Sequence, residues 1–174
     1  YGVVYNELGK LGEDKSNMTF FALVKINALT DSISFIDAYD NATSQGLKLD
    51  GTSVAINNST DKNVTIRLEI NSTLTQFNTV RLEIDKWYAI FVPVSSQFNQ
   101  AALSIYGFNQ DPANANNFND IIKLHSSAKT LSGASSFDFS ISESFRLVSS
   151  PIDIANIRIF NTMVQEEDHD FVIS

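Results

Sequence analysis

Few residues in this chain have the type and spacing to do chemistry. Glu83 and Asp85 alternate across Ile84. On a strand, alternate residues share a face, so both carboxyls would project together, as the paired acids of glycoside hydrolysis must. After Asp85 come Lys86, Trp87 and Tyr88 with no third acid, so a solvated strand face running into an apolar strand is the better account of the pair. The only histidines are His125 and His169, and there is no cysteine. Ser126 beside His125 therefore gives no triad, and thiolate chemistry is excluded. His169 stands among Glu166, Glu167, Asp168 and Asp170, where carboxylates predict a raised pKa. Successive helix residues point to different sides, so these acids do not converge on a metal.

Oxygen-rich loops are the other source of chemistry. Asp37, Asp40 and Asn41, or Asp111, Asn114, Asn116, Asn119 and Asp120, carry the oxygens that calcium takes from loops. No EF-hand spacing is present, and Asx residues in such runs close turns through their own side chains. The expectation is therefore no metal and no cofactor, with calcium the one ion these loops would suit. Sugar binding calls for an aromatic ring to stack on a pyranose and planar amides to read its hydroxyls. Phe118 among Asn114, Asn116, Asn117 and Asn119 meets that description, as does Tyr39 with Asp40 and Asn41, or Phe98 with Asn99 and Gln100. Each of these rings could equally be a loop anchor tucked onto the core.

The whole chain narrows the partners further. Its 174 residues suit one domain, 1–174, with a real core. A net charge of -8 and a pI near 4.6 argue against nucleic acid and against an anionic membrane surface. No apolar run approaches the roughly 20 residues needed to cross a bilayer as a helix.

The elements that would position these residues read as strands. Met18, Phe20, Ala22, Val24 and Ile26 share one face at period two while Phe21 and Leu23 make the other face apolar, which predicts a central strand covered on both sides. Ser32–Tyr39 follows. Leu47–Leu49 and Ser53–Ile56 flank Asp50-Gly51, a dipeptide that predicts a tight hairpin. Val64, Ile66, Leu68 and Ile70 alternate with Thr65, Arg67 and Glu69, and Thr79–Ile84 repeats the pattern, as strands with one buried face do. Trp87–Val92 is apolar on both faces, and Pro93 is expected near its end because proline cannot donate to a ladder. Ala101–Tyr106 reads as a strand with a turn at Gly107. Asn109–Asp120, nearly all Asn, Asp and Ala around Pro112, predicts the longest loop and the place to look for binding. Ile121–Leu124 returns to strand, Ser126–Ser136 reads as a polar loop, and Phe137, Phe139, Ile141, Phe145 and Leu147 alternate again. In the last strand Ala155, Ile157 and Ile159 are expected to point one way and Ile154, Asn156, Arg158 and Phe160 the other. Gln165–Asp168 then opens a short helix on its acidic end, with Val164 and Phe171 leaning on the body.

Three of these pieces resemble one superfamily. Trp87-Tyr88-Ala89-Ile90 is similar to the "W-(H/Y)-x-(hydrophobic)" strand of laminin G-like and concanavalin A-like jelly rolls. Leu103-Ser104-Ile105-Tyr106-Gly107 is similar to the strand that follows it there. Ile154–Asn161 with Val164 and Glu166-Glu167 resembles the closing "I-D-(D/E)-V-R-(I/V)-(Y/W)-N" segment. Ala155 stands where the family often has Asp, and Gly107 comes directly after Tyr106. Both departures weaken the transfer of any metal or sugar site more than they weaken the fold.

The resemblance implies an all-β, two-sheet antiparallel jelly-roll sandwich, concanavalin A-like, with a short C-terminal helix. It also implies a non-catalytic adhesion or structural module of a virion or cell surface that binds glycans, facing a glycan or protein partner, and forming homo- or hetero-oligomers. An extracellular, cell-surface or virion location goes with that reading. The alternatives are an assembly subunit without a ligand and a hydrolase of the concanavalin A-like glucanase type.

Overall fold

The computed structural model describes residues 2–6, 17–27, 32–40, 45–55, 61–70, 73–95, 99–111, 114–130, 144–148, 152–160 and 162–173. Eleven strands are present among these: β1 (Gly2–Asn6), β2 (Asn17–Ile26), β3 (Ser32–Asp40), β4 (Gln45–Ala55), β5 (Asp61–Ile70), β6 (Thr73–Glu83), β7 (Trp87–Ser95), β8 (Gln100–Asp111), β9 (Asn114–Thr130), β10 (Ser144–Val148) and β11 (Ile152–Phe160). A 3-10 turn, Glu166–Asp168, leads into a short helix α1, His169–Ile173. The strands form a six-stranded sheet, β1-β10-β3-β4-β5-β6, and a five-stranded sheet, β11-β2-β7-β8-β9, with every described pairing antiparallel. The fold is the all-β jelly-roll sandwich expected. β1 pairs with β10 and β11 with β2, so the two ends of the chain are zipped into different sheets.

Alternation explains the main core. Val64, Ile66 and Leu68 of β5, Val80 and Leu82 of β6, and Met18, Phe20, Val24 and Ile26 of β2 meet Ile90, Val92 and Val94 of β7 and Leu103 and Ile105 of β8 between the sheets. β2 and β7 are interior strands of the five-stranded sheet and are apolar on their outer face too. There Phe21, Ala89, Phe91, Tyr106 and Val172 form a second cluster, flanked by Leu23, Phe108, Phe160, Val164 and Ile173. The C-terminal segment is the cover of that face. Pro93 lies two residues before the end of β7, and pairing with β8 lapses at Val92 and Pro93 before resuming at Val94↔Ala101.

Several local expectations are corrected. Asp50-Gly51 is not a hairpin turn, because β4 runs straight through it and pairs Asp50 with Arg67 and Gly51 with Ile66. Its glycine answers to crowding: a Cβ at Gly51 would lie 3.0 Å from Val64 Cγ1 and 3.6 Å from Phe35 Cε2. Gly107 likewise lies within β8, beneath Leu124, whose Cδ1 would be 3.0 Å from a Cβ. The loop predicted for 109–120 is largely a hairpin, with Asn109↔Asp120, Gln110↔Phe118 and Asp111↔Asn114 in register across two irregularities. Ladder hydrogen bonds and bulges accommodate residues whose intrinsic strand preference is poor. Ser126–Thr130 also belongs to β9, paired with Gln100–Ser104. In β11 a bulge between Ile154 and Asn156 shifts the parity, so Ile154 packs on the same core as Ile157 and Ile159. Phe137, Phe139 and Ile141 lie outside the described residues.

Candidate functional site

The residues expected from sequence to bind fall at two places in the fold. Asn114, Asn116, Asn117, Phe118 and Asn119 occupy the first part of β9, and Tyr39 and Asp40 end β3. Only their backbone placement is described, and Asn41 lies outside the described residues. The two groups sit in different sheets. The Glu83/Asp85 pair loses its basis, because the two acids do not share a strand face. Glu83 ends β6, whereas Asp85 lies in the turn to β7 at φ 61°. Its backbone N–H donates to the Ile26 carbonyl at 2.8 Å, and the Glu83 N–H donates to the Tyr88 hydroxyl at 2.8 Å. These acids belong to a crossover between sheets.

What the structure does assemble is a row of side chains along the outer face of the five-stranded sheet. Cross-strand partners share a face, and the registers place Asp153 opposite Lys25 and Lys25 opposite Trp87. The β7–β8 register, Tyr88↔Gly107, extended by one residue brings Phe108 beside Trp87, and Phe108 faces Ile121. Trp87 and Phe108 are half-buried, while Ile121 is exposed. At the β11 end the polar groups are tied together. The Asn27 Nδ2 donates to Asp153 Oδ1 at 2.7 Å, Lys25 Nζ is 3.3 Å from Asp153 Oδ2, and the same ammonium lies 5.7 Å from the Trp87 ring centroid. The Asn27 amide, and after it Lys25, holds the Asp153 carboxyl below its ordinary range. The result is an acceptor and a donor fixed beside an aromatic ring.

The next rows lie under the C-terminal segment. His169 is 2% exposed. Its ring stacks on Phe91 at 3.9 Å and 7°, and its Nδ1 is 2.8 Å from the Tyr106 hydroxyl. The expected raised pKa is corrected: burial pushes His169 below its ordinary 6.5, outweighing the opposing Val164 backbone and the carboxylates of Glu166 and Asp170. Burial, then Glu166 and Asp170, push Tyr106 up to about 12, so it is a phenol that donates or accepts but does not ionise near neutrality. Phe171, expected to lean on the sandwich, is 84% exposed; Val172 makes that contact. Among the described residues no three His, Asp or Glu side chains are grouped to hold a metal ion.

Trp87 is the residue whose polar surroundings the sequence did not reveal. Its type was visible, but its neighbours Lys25 and Asp153 are distant in sequence, and only the β11–β2–β7 register shows them side by side.

No protein-family model matches the chain, and no curated protein matches it. Solved structures do. A structure of botulinum neurotoxin type C, whose cell entry depends on interaction with two ganglioside molecules, aligns at TM-score 0.58 and 13% identity, covering 98% of this chain and 39% of that one. The native heptameric SAP-like pentraxin from Limulus polyphemus aligns at TM-score 0.50 and 7% identity, covering 91% of this chain and 70% of that one. The catalytic domain of a glycoside hydrolase family 131 protein from Coprinopsis cinerea aligns at 0.39 and 13% identity over 89% and 62%, too distant to bear on activity. The chain thus spans about two fifths of the neurotoxin chain it matches. What it shares with them is the fold, a two-sheet antiparallel jelly-roll sandwich.

Proposed function

We propose that this protein is a non-catalytic carbohydrate-recognition module that works at a cell or particle surface. The observation that carries the reading is the row Asp153–Lys25–Trp87–Phe108 on the outer face of the five-stranded sheet. A pyranose presents an apolar ring face and a rim of hydroxyls. An indole takes the first by stacking, and a fixed carboxylate with an ammonium beside it takes two neighbouring hydroxyls, one as donor and one as acceptor. The ganglioside dependence of the structurally similar neurotoxin makes sialylated glycolipid headgroups a sensible class to include among the ligands tried.

A second reading, an assembly subunit, is favoured by the exposure of Ile121, Ile122 and Leu124 along the edge strand β9, since exposed apolar edges invite pairing. The two readings separate in one set of experiments. A glycan array spanning neutral, uronic and sialylated classes, followed by calorimetry, is expected to give saturable binding. Trp87→Ala or Asp153→Asn should weaken it about tenfold, the scale of one aromatic contact. Phe118→Ala and Tyr39→Ala report on the two regions expected from sequence. No saturable binding on any class, together with stable self-association by light scattering, would replace the first reading with the second.

A further inference from the structure

We infer that residues 162–173 form an acid-released latch over the aromatic outer face of the five-stranded sheet, with His169 as the group whose protonation undocks it. This inference does not depend on the carbohydrate reading.

The latch is fastened at both ends and in the middle. At its start the Thr19 hydroxyl donates to the Thr162 carbonyl at 2.7 Å and accepts from the Val164 N–H at 2.9 Å. In the 3-10 turn Glu166 pairs with Lys123 of β9 and accepts from the Ser126 hydroxyl at 3.4 Å. At its end Arg158 Nη1 of β11 donates to the Val172 carbonyl at 3.2 Å while its guanidinium lies 5.9 Å from the Phe21 ring. All of these contacts are indifferent to mild acid, Glu166 included, because Lys123 holds its carboxyl below the ordinary 4.5.

His169 is different because it is the latch's buried polar centre. Its ring lies flat on Phe91 and meets Tyr106 edge-on at 5.6 Å. Nδ1 has the Tyr106 hydroxyl as partner, Nε2 is buried with no partner at hydrogen-bond geometry among the described residues, and the Val164 backbone lies near enough to favour the charged ring. A neutral imidazole satisfies this site at modest cost by donating from Nδ1 and leaving Nε2 as an unprotonated lone pair. An imidazolium must bury a charge against Phe91 and Tyr106, and the Val164 backbone and nearby carboxylates offset only part of that cost.

The charged and titratable groups around the ring come from each side. Tyr106 on β8 remains neutral, Lys123 on β9 opposes a positive ring, Glu166 and Asp170 on the latch favour one, and β7 offers only Phe91. Arg158 on β11 is engaged with the Val172 carbonyl. Burial outweighs the favourable carboxylates.

The sign follows from linkage. In the docked state the His169 pKa is depressed, and once undocked it returns to its ordinary 6.5. The undocked state therefore binds more protons in the window between the depressed value and 6.5. The docked state is fully favoured above that window. Its ratio to the undocked state falls by up to about tenfold for each pH unit below 6.5, until the depressed value is reached. Glu166, held below its ordinary 4.5 by Lys123, acts in the same direction but only in stronger acid.

The test is hydrogen exchange of the full chain by mass spectrometry between pH 7.5 and 5.0, corrected for intrinsic rates, read on peptides covering 162–173, with a dye that fluoresces on apolar surfaces as a second readout. The wild type should lose protection in that segment as pH falls, and dye binding should rise with it, while peptides from β5 and β6 stay protected. His169→Phe keeps the stacking ring but cannot titrate, so its protection should be independent of pH. Glu166→Gln, which removes the pair with Lys123, should lower protection at pH 7.5. His125→Gln, which removes the other histidine, should behave as wild type. If the Phe variant does not fold, the ring's own titration by NMR in the wild type decides the matter, with a pKa below 6.5 expected. Unchanged wild-type protection down to pH 5.0, a His169 pKa at or above 6.5, or the same pH dependence in His169→Phe would each overturn the inference.

Discussion

Asp50 shows how a single residue can signal one structure and serve another. Beside Gly51 it predicts a reversal, yet in the strand its carboxylate accepts from Arg67 Nε at 2.7 Å, directly across the β4–β5 ladder, with Lys48 3.9 Å away. The two partners are largely shielded, at 12% and 28% side-chain exposure. A shielded charge-assisted bond differs from an exposed pair, because removing one partner leaves the other desolvated without compensation. Asp50→Ala should therefore cost about 1–3 kcal/mol in urea denaturation, and the double replacement Asp50→Val with Arg67→Met should recover most of that loss. An Asp50→Ala cost below about 0.5 kcal/mol would mean that the pair behaves as a solvated one.

At the scale of elements, the bulge in β11 governs which side chains reach the core. Ile154 faces Val24 and Asn156 faces Leu23, so Ala155 is the extra residue. Removing it leaves a regular ladder in which Ile154, Ile157 and Ile159 keep their core-facing positions. Removing Arg158 instead turns one side of the strand over. Deletion of Ala155 should stay within about 1 kcal/mol of the wild type, whereas deletion of Arg158 should cost more than about 3 kcal/mol, the scale of displacing buried isoleucines. Equal losses in thermal or denaturant unfolding would show that the bulge itself is required.

The same element marks the limit of what sequence conveys. Strands buried on one face, such as β5 with Val64, Ile66 and Leu68, or on both, such as β7, announce themselves because burial imposes a period. An inserted residue in β11, a glycine chosen for Val64 rather than for a turn, and the inward side of a five-residue helix depend on partners far along the chain. Periodicity carries no information about those partners. Hence Phe171 rather than His169 looked like the buried contact, and Trp87 looked like strand material rather than the ring beside Lys25 and Asp153.

For the whole molecule, the central fact is that β2, β7 and β8 support two separate hydrophobic clusters, one between the sheets and one under the C-terminal segment. The first draws on both sheets. Among the described residues, Val164, His169, Val172 and Ile173 of the C-terminal segment cover the second on its outer side. Ordering the latch costs conformational entropy that offsets much of the burial it achieves, so its net contribution should be small compared with that of the inter-sheet core. A chain ended after Asn161 should keep its strand signal in circular dichroism and unfold cooperatively, with Tm lowered by roughly 5–15 °C. With Phe21, Phe91 and Tyr106 uncovered, it should also bind an apolar dye and self-associate at neutral pH, as contiguous exposed apolar patches do. The intact chain should show that dye signal only in mild acid and keep the higher Tm at pH 7.5, where the latch is docked. If the shortened chain loses its strand signal altogether, the two clusters form one cooperative unit, and the latch is part of the fold's foundation rather than a cover over it.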